Sequence, residues 1–143
     1  IDVFNEIKIQ KATKILLDIL KKQNSYELYP QIAYSLSQIA PEDISVYHAL
    51  KDKFYEINHE KIQQSILTAI GSMRINEQNE FLIKIAGNSS YTKSIRMEAL
   101  DSLMEDNTGN AVKMISDLKS LANKSENGIS DKARLIIQVI NPE

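Results

Sequence analysis

The segment TKSIRMEALDSLME, residues 92–105, has counterparts elsewhere in the chain at a nearly constant interval, and that interval constrains the fold more than any other property. Its apolar residues Ile95, Ala99 and Leu103 fall at i, i+4 and i+8. The same spacing occurs as Leu28, Ile32 and Leu36 in ELYPQIAYSLSQIA, as Ile62, Ile66 and Ile70 in HEKIQQSILTAIGSM, and as Ile129, Ala133 and Ile137 in NGISDKARLIIQVI. The first anchors, Leu28, Ile62, Ile95 and Ile129, lie 34, 33 and 34 residues apart. Apolar residues one helical turn apart, with polar residues between, mark amphipathic helices; strands would alternate at every second position. A second series runs between the first: FNEIKIQKATKILLDILKK, PEDISVYHALKDKFYEI, NEQNEFLIKIAG and NAVKMISDLKSLANK. Its anchors Leu16, Leu50, Leu82 and Ile115 are 34, 32 and 33 residues apart. Two interleaved series sharing one period make the unit a helix pair.

Composition and punctuation agree with an all-α chain. Only 4 Gly and 3 Pro in 143 residues are few for a loop-rich or sheet-rich fold. Pro41 is expected at the first position of a helix, with Glu42 and Asp43 at the positive end of its dipole. Ser25, Asn58, Asn76 and Ser130 are expected as N-caps, and Gly87 and Gly128 as breaks between helices that use positive φ. The pairs span approximately residues 4–40, 41–74, 76–105 and 109–140, forming one domain over 1–143 without a low-complexity linker. A chain of this length buries roughly 70% of its unfolded surface. It opens on Ile1 rather than Met, which is read as a fragment of a longer chain.

A helix pair of this length cannot bury its apolar face alone, so the pairs are expected to stack, sharing a core between layers. The pattern resembles HEAT repeats, in particular the shorter HEAT-like type of phycobilin lyases. SIRMEALDSL is similar to the second-helix pattern of that family, with Ile95, Arg96, Ala99 and Leu100 at the matching positions. KIQQSILTAIG keeps Ile62, Leu67, Ile70 and Gly71 but has Gln63 in place of the Arg, and KARLIIQVI supplies Arg134 only with a 38-residue spacing. The tetratricopeptide repeat has a similar period but looks for a Trp, and this chain has none. The resemblance implies an α-solenoid, a right-handed superhelix of about four antiparallel pairs whose second helices line a concave surface.

No catalytic constellation accompanies the repeats. HEKIQ at His59 would need a second His at position 63, which is Gln63, so the two-ligand turn of a zinc-protease helix is not formed. His48 and His59 are read as surface residues. MEDNTGNA, around Asp106, lacks the alternating oxygen ligands of a calcium loop and reads as a turn. No Ser lies in a strand–turn–helix elbow and no Gly-rich loop cradles phosphate. Asn88-Ser89-Ser90 and Asn123-Lys124-Ser125 fit the glycosylation sequon, at the frequency chance produces in a Ser-rich chain. Without Cys there is no disulfide, thiolate metal site or thiol nucleophile, so no catalytic residue, cofactor or metal is expected. The net charge of −2 disfavours nucleic acid, and the lysines gather on no single helical face. No stretch is long and apolar enough to span a membrane, and the compartment stays open between cytoplasm and cell envelope.

The expected role is that of a non-catalytic scaffold mediating protein–protein or interdomain contact. The alternative is an accessory C-terminal repeat domain of a larger enzyme, such as a thermolysin-like metalloaminopeptidase or a lyase. Positions three and six beyond each first anchor form two ladders along the implied concave face. They are Gln31, Ser65, Glu98 and Lys132, and Tyr34, Thr68, Asp101 and Leu135. Tyr26, Tyr29, Tyr34, Tyr47, Phe54 and Tyr55 cluster in the first two pairs, most of them read as wedged between layers. In ARLIIQVI, Leu135 and Val139 form a second apolar stripe, which points to weak self-association through the C-terminal helix or to a missing neighbour.

Overall fold

The computed structural model describes residues 2–22, 26–103, 111–125 and 127–141. Eight α-helices and one 3-10 turn account for the regular structure of these residues, and no strand occurs among them. The helices are α1 (Val3–Lys21), α2 (Tyr29–Ile39), α3 (Ile44–Glu56), α4 (Glu60–Gly71), α5 (Gln78–Ala86), α6 (Lys93–Leu103), α7 (Ala111–Lys124) and α8 (Asn127–Ile140); the 3-10 turn is Tyr26–Leu28. Each corresponds to one of the eight periodic segments.

The helices pack in two rows. Each odd-numbered helix lies against the even-numbered helix that follows it, and α2 packs on α4, α4 on α6, and α6 on α8. In the other row α1 packs on α3 and α5 on α7. Aromatic rings join α3 to α5: Phe81 meets Tyr47 and Phe54 edge to face, at centroid separations of 6.4 and 5.8 Å. The stripes that define the period form the interface between the rows, with Ile66, Ile70, Ala99 and Leu100 fully enclosed. Two anchors fall outside the core. Leu28 is 51% exposed because it closes the 3-10 turn instead of entering α2, and Met114 takes the buried place expected of Ile115.

Several helix ends are built differently from the expectation. Pro41 is not the first residue of α3. It sits in a turn closed by Asp43 N donating to Ala40 O at 3.2 Å, a position that suits its fixed φ. Asp43 is the cap, accepting from Ser45 N at 2.9 Å and from Ser45 Oγ at 2.6 Å. Pro30 is the proline in the first turn of a helix, α2. His59, not Asn58, caps α4, its Nδ1 accepting from Ile62 N at 3.4 Å. Glu77 rather than Asn76 precedes α5, without a side-chain capping bond. Ser130 and Gly128 both lie inside α8. Gly87 ends α5 at φ −83°, in the right-handed region, so the expected positive φ is not used there. A Cβ at Gly87 would lie 3.4 Å from Leu121 Cδ1. Ser25 and the loop around Asp106 lie outside the described residues.

One further repeat is visible only in three dimensions. Tyr29 Oη donates to Lys22 O, Gln63 Nε2 to Phe54 O at 3.2 Å, Arg96 Nε to Ala86 O at 2.7 Å and Ser130 Oγ to Ser125 O at 2.8 Å. These donors lie 34, 33 and 34 residues apart. Each binds a carbonyl at the C-terminal end of the preceding odd-numbered helix or just beyond it, where the last carbonyls have no partner within their own helix. Arg134 adds a second bond to α7, from Nη2 to Ala122 O at 3.3 Å.

Candidate interaction surface

The eight ladder residues are distributed over the even-numbered helices: Gln31 and Tyr34 on α2, Ser65 and Thr68 on α4, Glu98 and Asp101 on α6, Lys132 and Leu135 on α8. All are exposed or half-buried. Their register follows from the core: with Ile66 and Ile70 turned inward, Ser65 and Thr68 fall on the flank of the same helix.

Two polar links join neighbouring helices along this row. Thr68 Oγ1 donates to Glu98 Oε1, from α4 to α6, and Lys132 Nζ pairs with Asp101 Oδ1, from α6 to α8. At the foot of the row Thr92 Oγ1 donates to Glu60 Oε1. Between α2 and α4 the surface opens into a groove of about 280 Å³, where Tyr34, Ser65 and Thr68 meet Pro30, Ser37 and Ser72. Tyr34 is 57% exposed at its edge. The other five ladder residues, Gln31, Glu98, Asp101, Lys132 and Leu135, do not line it.

The three serine hydroxyls of this groove donate to backbone carbonyls of their own helices. Ser37 Oγ donates to Tyr34 O at 2.7 Å, Ser65 Oγ to Lys61 O at 3.0 Å and Ser72 Oγ to Thr68 O at 3.1 Å. Each keeps acceptor capacity, so toward a partner the serines accept hydrogen bonds, and Tyr34 Oη is the groove's available donor. With Lys132 paired to Asp101, Glu98 leaves one negative charge among the eight ladder residues. Such a face suits a partner rich in N–H donors and offers little long-range steering.

The aromatic residues divide by role. Tyr29, Tyr47 and Phe54 are buried, whereas Tyr26, Tyr34 and Tyr55 are about half exposed. Tyr34 alone among them lines the groove. Lys53 is buried against Tyr29, its ammonium 5.0 Å from the ring centroid and 3.2 Å from Glu56 Oε2. Burial, helped by the negative charge of Glu77, pushes the Tyr47 hydroxyl up to about 12.

Sequence reasoning missed a second concavity, about 560 Å³, between α5 and α7. It gathers Lys84, Lys113, Lys124 and Arg96 from three helices, an arrangement that no inspection of single helical faces reveals. His48 and His59 are exposed, and among the described residues no three His, Cys, Asp or Glu side chains come together as a metal site. No described helix is long and apolar enough to cross a membrane. No family model, curated protein or solved structure matches the chain.

Proposed function

We propose that the chain is a HEAT-like α-solenoid of four helix pairs that acts as a non-catalytic scaffold, holding a protein partner or a neighbouring domain against its even-numbered helices. The observation that carries the reading is that each first anchor is followed directly by a donor to the end of the preceding helix, Tyr29, Gln63, Arg96 and Ser130, so packing and hydrogen bonding repeat in one register. A device repeated at each pair is what a one-dimensional array requires, since each pair meets only its neighbours. The row α2–α4–α6–α8 then serves as the recognition face, with Tyr34 as its aromatic anchor and Gln31, Ser65, Thr68, Glu98, Asp101, Lys132 and Leu135 as the surrounding contacts. The assignment of a binding role to this shape rests on fold-level analogy.

A photo-crosslinking amino acid at position 34 or 68, compared with one at position 55 in α3, tests the face in the native host. Adducts confined to 34 and 68 support it, and equal adducts from position 55 reject it. With the trapped partner purified, the double substitution Tyr34→Ala, Asp101→Asn is expected to weaken affinity at least tenfold at fixed salt. Unchanged affinity would sink the placement.

The interdomain form of this reading, which includes an accessory domain of a larger enzyme, draws support from α1. Val3, Phe4, Ile7, Ile9 and Ile15 are all exposed, an apolar surface suited to a covering neighbour.

A further inference from the structure

We propose that the groove between α2 and α4 seats an arginine side chain of the partner, an inference that rests on the even-numbered row being the recognition face. At about 280 Å³ the groove falls below the roughly 300–1,000 Å³ of small-molecule pockets, which suits one side chain inserted from a larger partner. None of its lining residues is charged, and its walls present acceptors. Ser37, Ser65 and Ser72 each place their one hydroxyl hydrogen on a carbonyl of their own helix, and Thr68 places its own on Gln64 O, at 3.0 Å, or on Glu98 Oε1. Neighbouring hydroxyls that, as bonded, can only accept call for a ligand group that carries several donors and needs no acceptor. The guanidinium of arginine and the ammonium of lysine are the protein side chains of that kind.

The field at the groove favours a cation as well. Ser37 lies in the last turn of α2 and Ser72 is the C-cap of α4. Arg74 N donates to Pro41 O at 2.7 Å where the chain leaves these helices, so their carbonyl ends lie side by side. Each such end is worth roughly −0.5 charge. The helices α1, α3, α5 and α7 each carry a lysine in the last turn, Lys21, Lys53, Lys84 and Lys124, whereas α2 and α4 carry no basic residue there. Glu98 adds a full negative charge one hydrogen bond beyond Thr68, and no Lys or Arg among the described residues lies within ion-pair distance of it. The charges that border the two ends of the groove offset each other: Arg74 pairs with Glu42 at 3.4 Å, and Lys61 follows Glu60 at the start of α4. Tyr34 distinguishes the two cations. It is 57% exposed at the edge of the groove, an aromatic surface on which a planar, weakly hydrated guanidinium stacks. The five donors of that group also reach more of the hydroxyls than the three of a strongly hydrated ammonium.

Acetyl-Gly-Arg-Gly amide and its lysine and citrulline counterparts are the probes, titrated at constant ionic strength into the isotope-labelled chain and followed by amide NMR. The arginine peptide is expected to give saturable shifts at Tyr34, Ser65, Thr68 and Ser72, with at least fivefold higher affinity than the lysine peptide and at least tenfold higher than the neutral citrulline peptide. Tyr34 lies outside the core, so Tyr34→Leu leaves the fold intact, and it is expected to weaken arginine binding at least fivefold. Glu98→Gln is expected to weaken it at least threefold. Tyr55→Leu, at a tyrosine of α3 that is 50% exposed, is expected to change nothing. A lysine or citrulline peptide that binds as tightly as the arginine peptide, equal losses in Tyr34→Leu and Tyr55→Leu, or shifts that never saturate would overturn the proposal. Such a failure is separable from failure of the recognition face: crosslinked adducts at positions 34 and 68 without arginine binding reject the arginine site and keep the face for a partner of other chemistry.

Discussion

Tyr47 shows how much a single enclosed side chain contributes to the response of this fold to pH. It is 1% exposed, and its hydroxyl donates to Glu77 O at 3.3 Å. Burial first, then the charges of Glu77, Tyr55 and Glu80, raise its pKa from 10.0 to about 12. Because the folded value lies above the unfolded one, the resulting stability is complete below about pH 10 and is lost as pH rises toward 12, by about 2 to 3 kcal/mol. Denaturant titrations between pH 9 and 12 should show this loss in the wild type and a smaller one in Tyr47→Phe; Tyr55 and Tyr91, also raised by burial, keep a remainder. Identical slopes for the two proteins would refute the assignment. Gly71 makes a separate residue-scale test. A Cβ there would lie 2.7 Å from Ser102 Cβ and 2.8 Å from Ser102 O, so Gly71→Ala should cost about 1 to 3 kcal/mol by forcing α4 and α6 apart. At Gly128 the added atom meets only the end of the Lys93 side chain, and Gly128→Ala should be neutral or stabilising by up to about 1 kcal/mol, which denaturant titrations of both glycine variants at neutral pH would show. The residue scale is also where the sequence was least legible. Tyr29, Gln63, Arg96 and Ser130 perform one task with four different chemistries, so no comparison of residue types aligns them. Gln63 read as a departure from the Arg pattern because the shared property is a donor within reach of a carbonyl, and reach depends on the backbone around it.

At the scale of elements, the eight helices were legible because the signal is redundant: each carries several apolar residues at helical spacing, and a misjudged end does not move the stripe. Helix ends were less legible, since capping is decided by whichever polar side chain lies one or two residues from the first turn. Asp43 and His59 prevailed over Pro41 and Asn58 on geometry, not on propensity. The elements are also unequal in how firmly they are held. In α1 only Thr13 and Leu20 are buried, and the residues from Val3 to Ala12 are all exposed. Isolated helical turns are marginal in water, so the first half of α1 should open far below the global unfolding free energy. Amide exchange is expected to be fast from Ile7 to Lys11 and slow from Ile66 to Ile70; comparable protection in both would contradict the burial pattern. The same inequality governs cavities. Ile66 is fully enclosed where α4 packs against α2 and α6, and Ile66→Ala should cost about 2 to 5 kcal/mol. Ile137, half-buried in α8, should cost clearly less on the same truncation. Equal losses would argue against an array in which inner helices have neighbours on two sides.

For the whole molecule, the period made eight helices and an all-α fold legible, but how the first and last helices meet solvent depends on what covers them, which periodicity does not encode. At one end Phe4, 73% exposed, stands with Val3 and Ile7 on α1; at the other Leu135 and Val139, 55% and 60% exposed, form the second stripe of α8. The stripe of α8 was anticipated from ARLIIQVI. The larger apolar surface of α1 was not, because its residues fit the inward pattern of a packed helix equally well. In the reading of the chain as an array, an end helix that exposes an apolar stripe is a surface on which another layer can be laid, and a second copy of the chain supplies one. Weak self-association through α8 is therefore expected. Leu135→Glu with Val139→Lys places charge on both exposed positions without touching Ile129, Ala133 or Ile136, which face the core. Sedimentation equilibrium over a range of concentrations should show a rising average mass for the wild type and a constant monomer mass for the double variant. A matched variant of α1, Phe4→Glu with Ile7→Lys, separates the two ends: if it alone abolishes association, α1 is the contact and the assignment to α8 fails. If both variants abolish it, the ends bind each other head to tail, and addition of further copies has no geometric limit unless the ring closes. A wild type that remains monomeric throughout would exclude self-association and leave the stripe of α8 to a neighbouring domain.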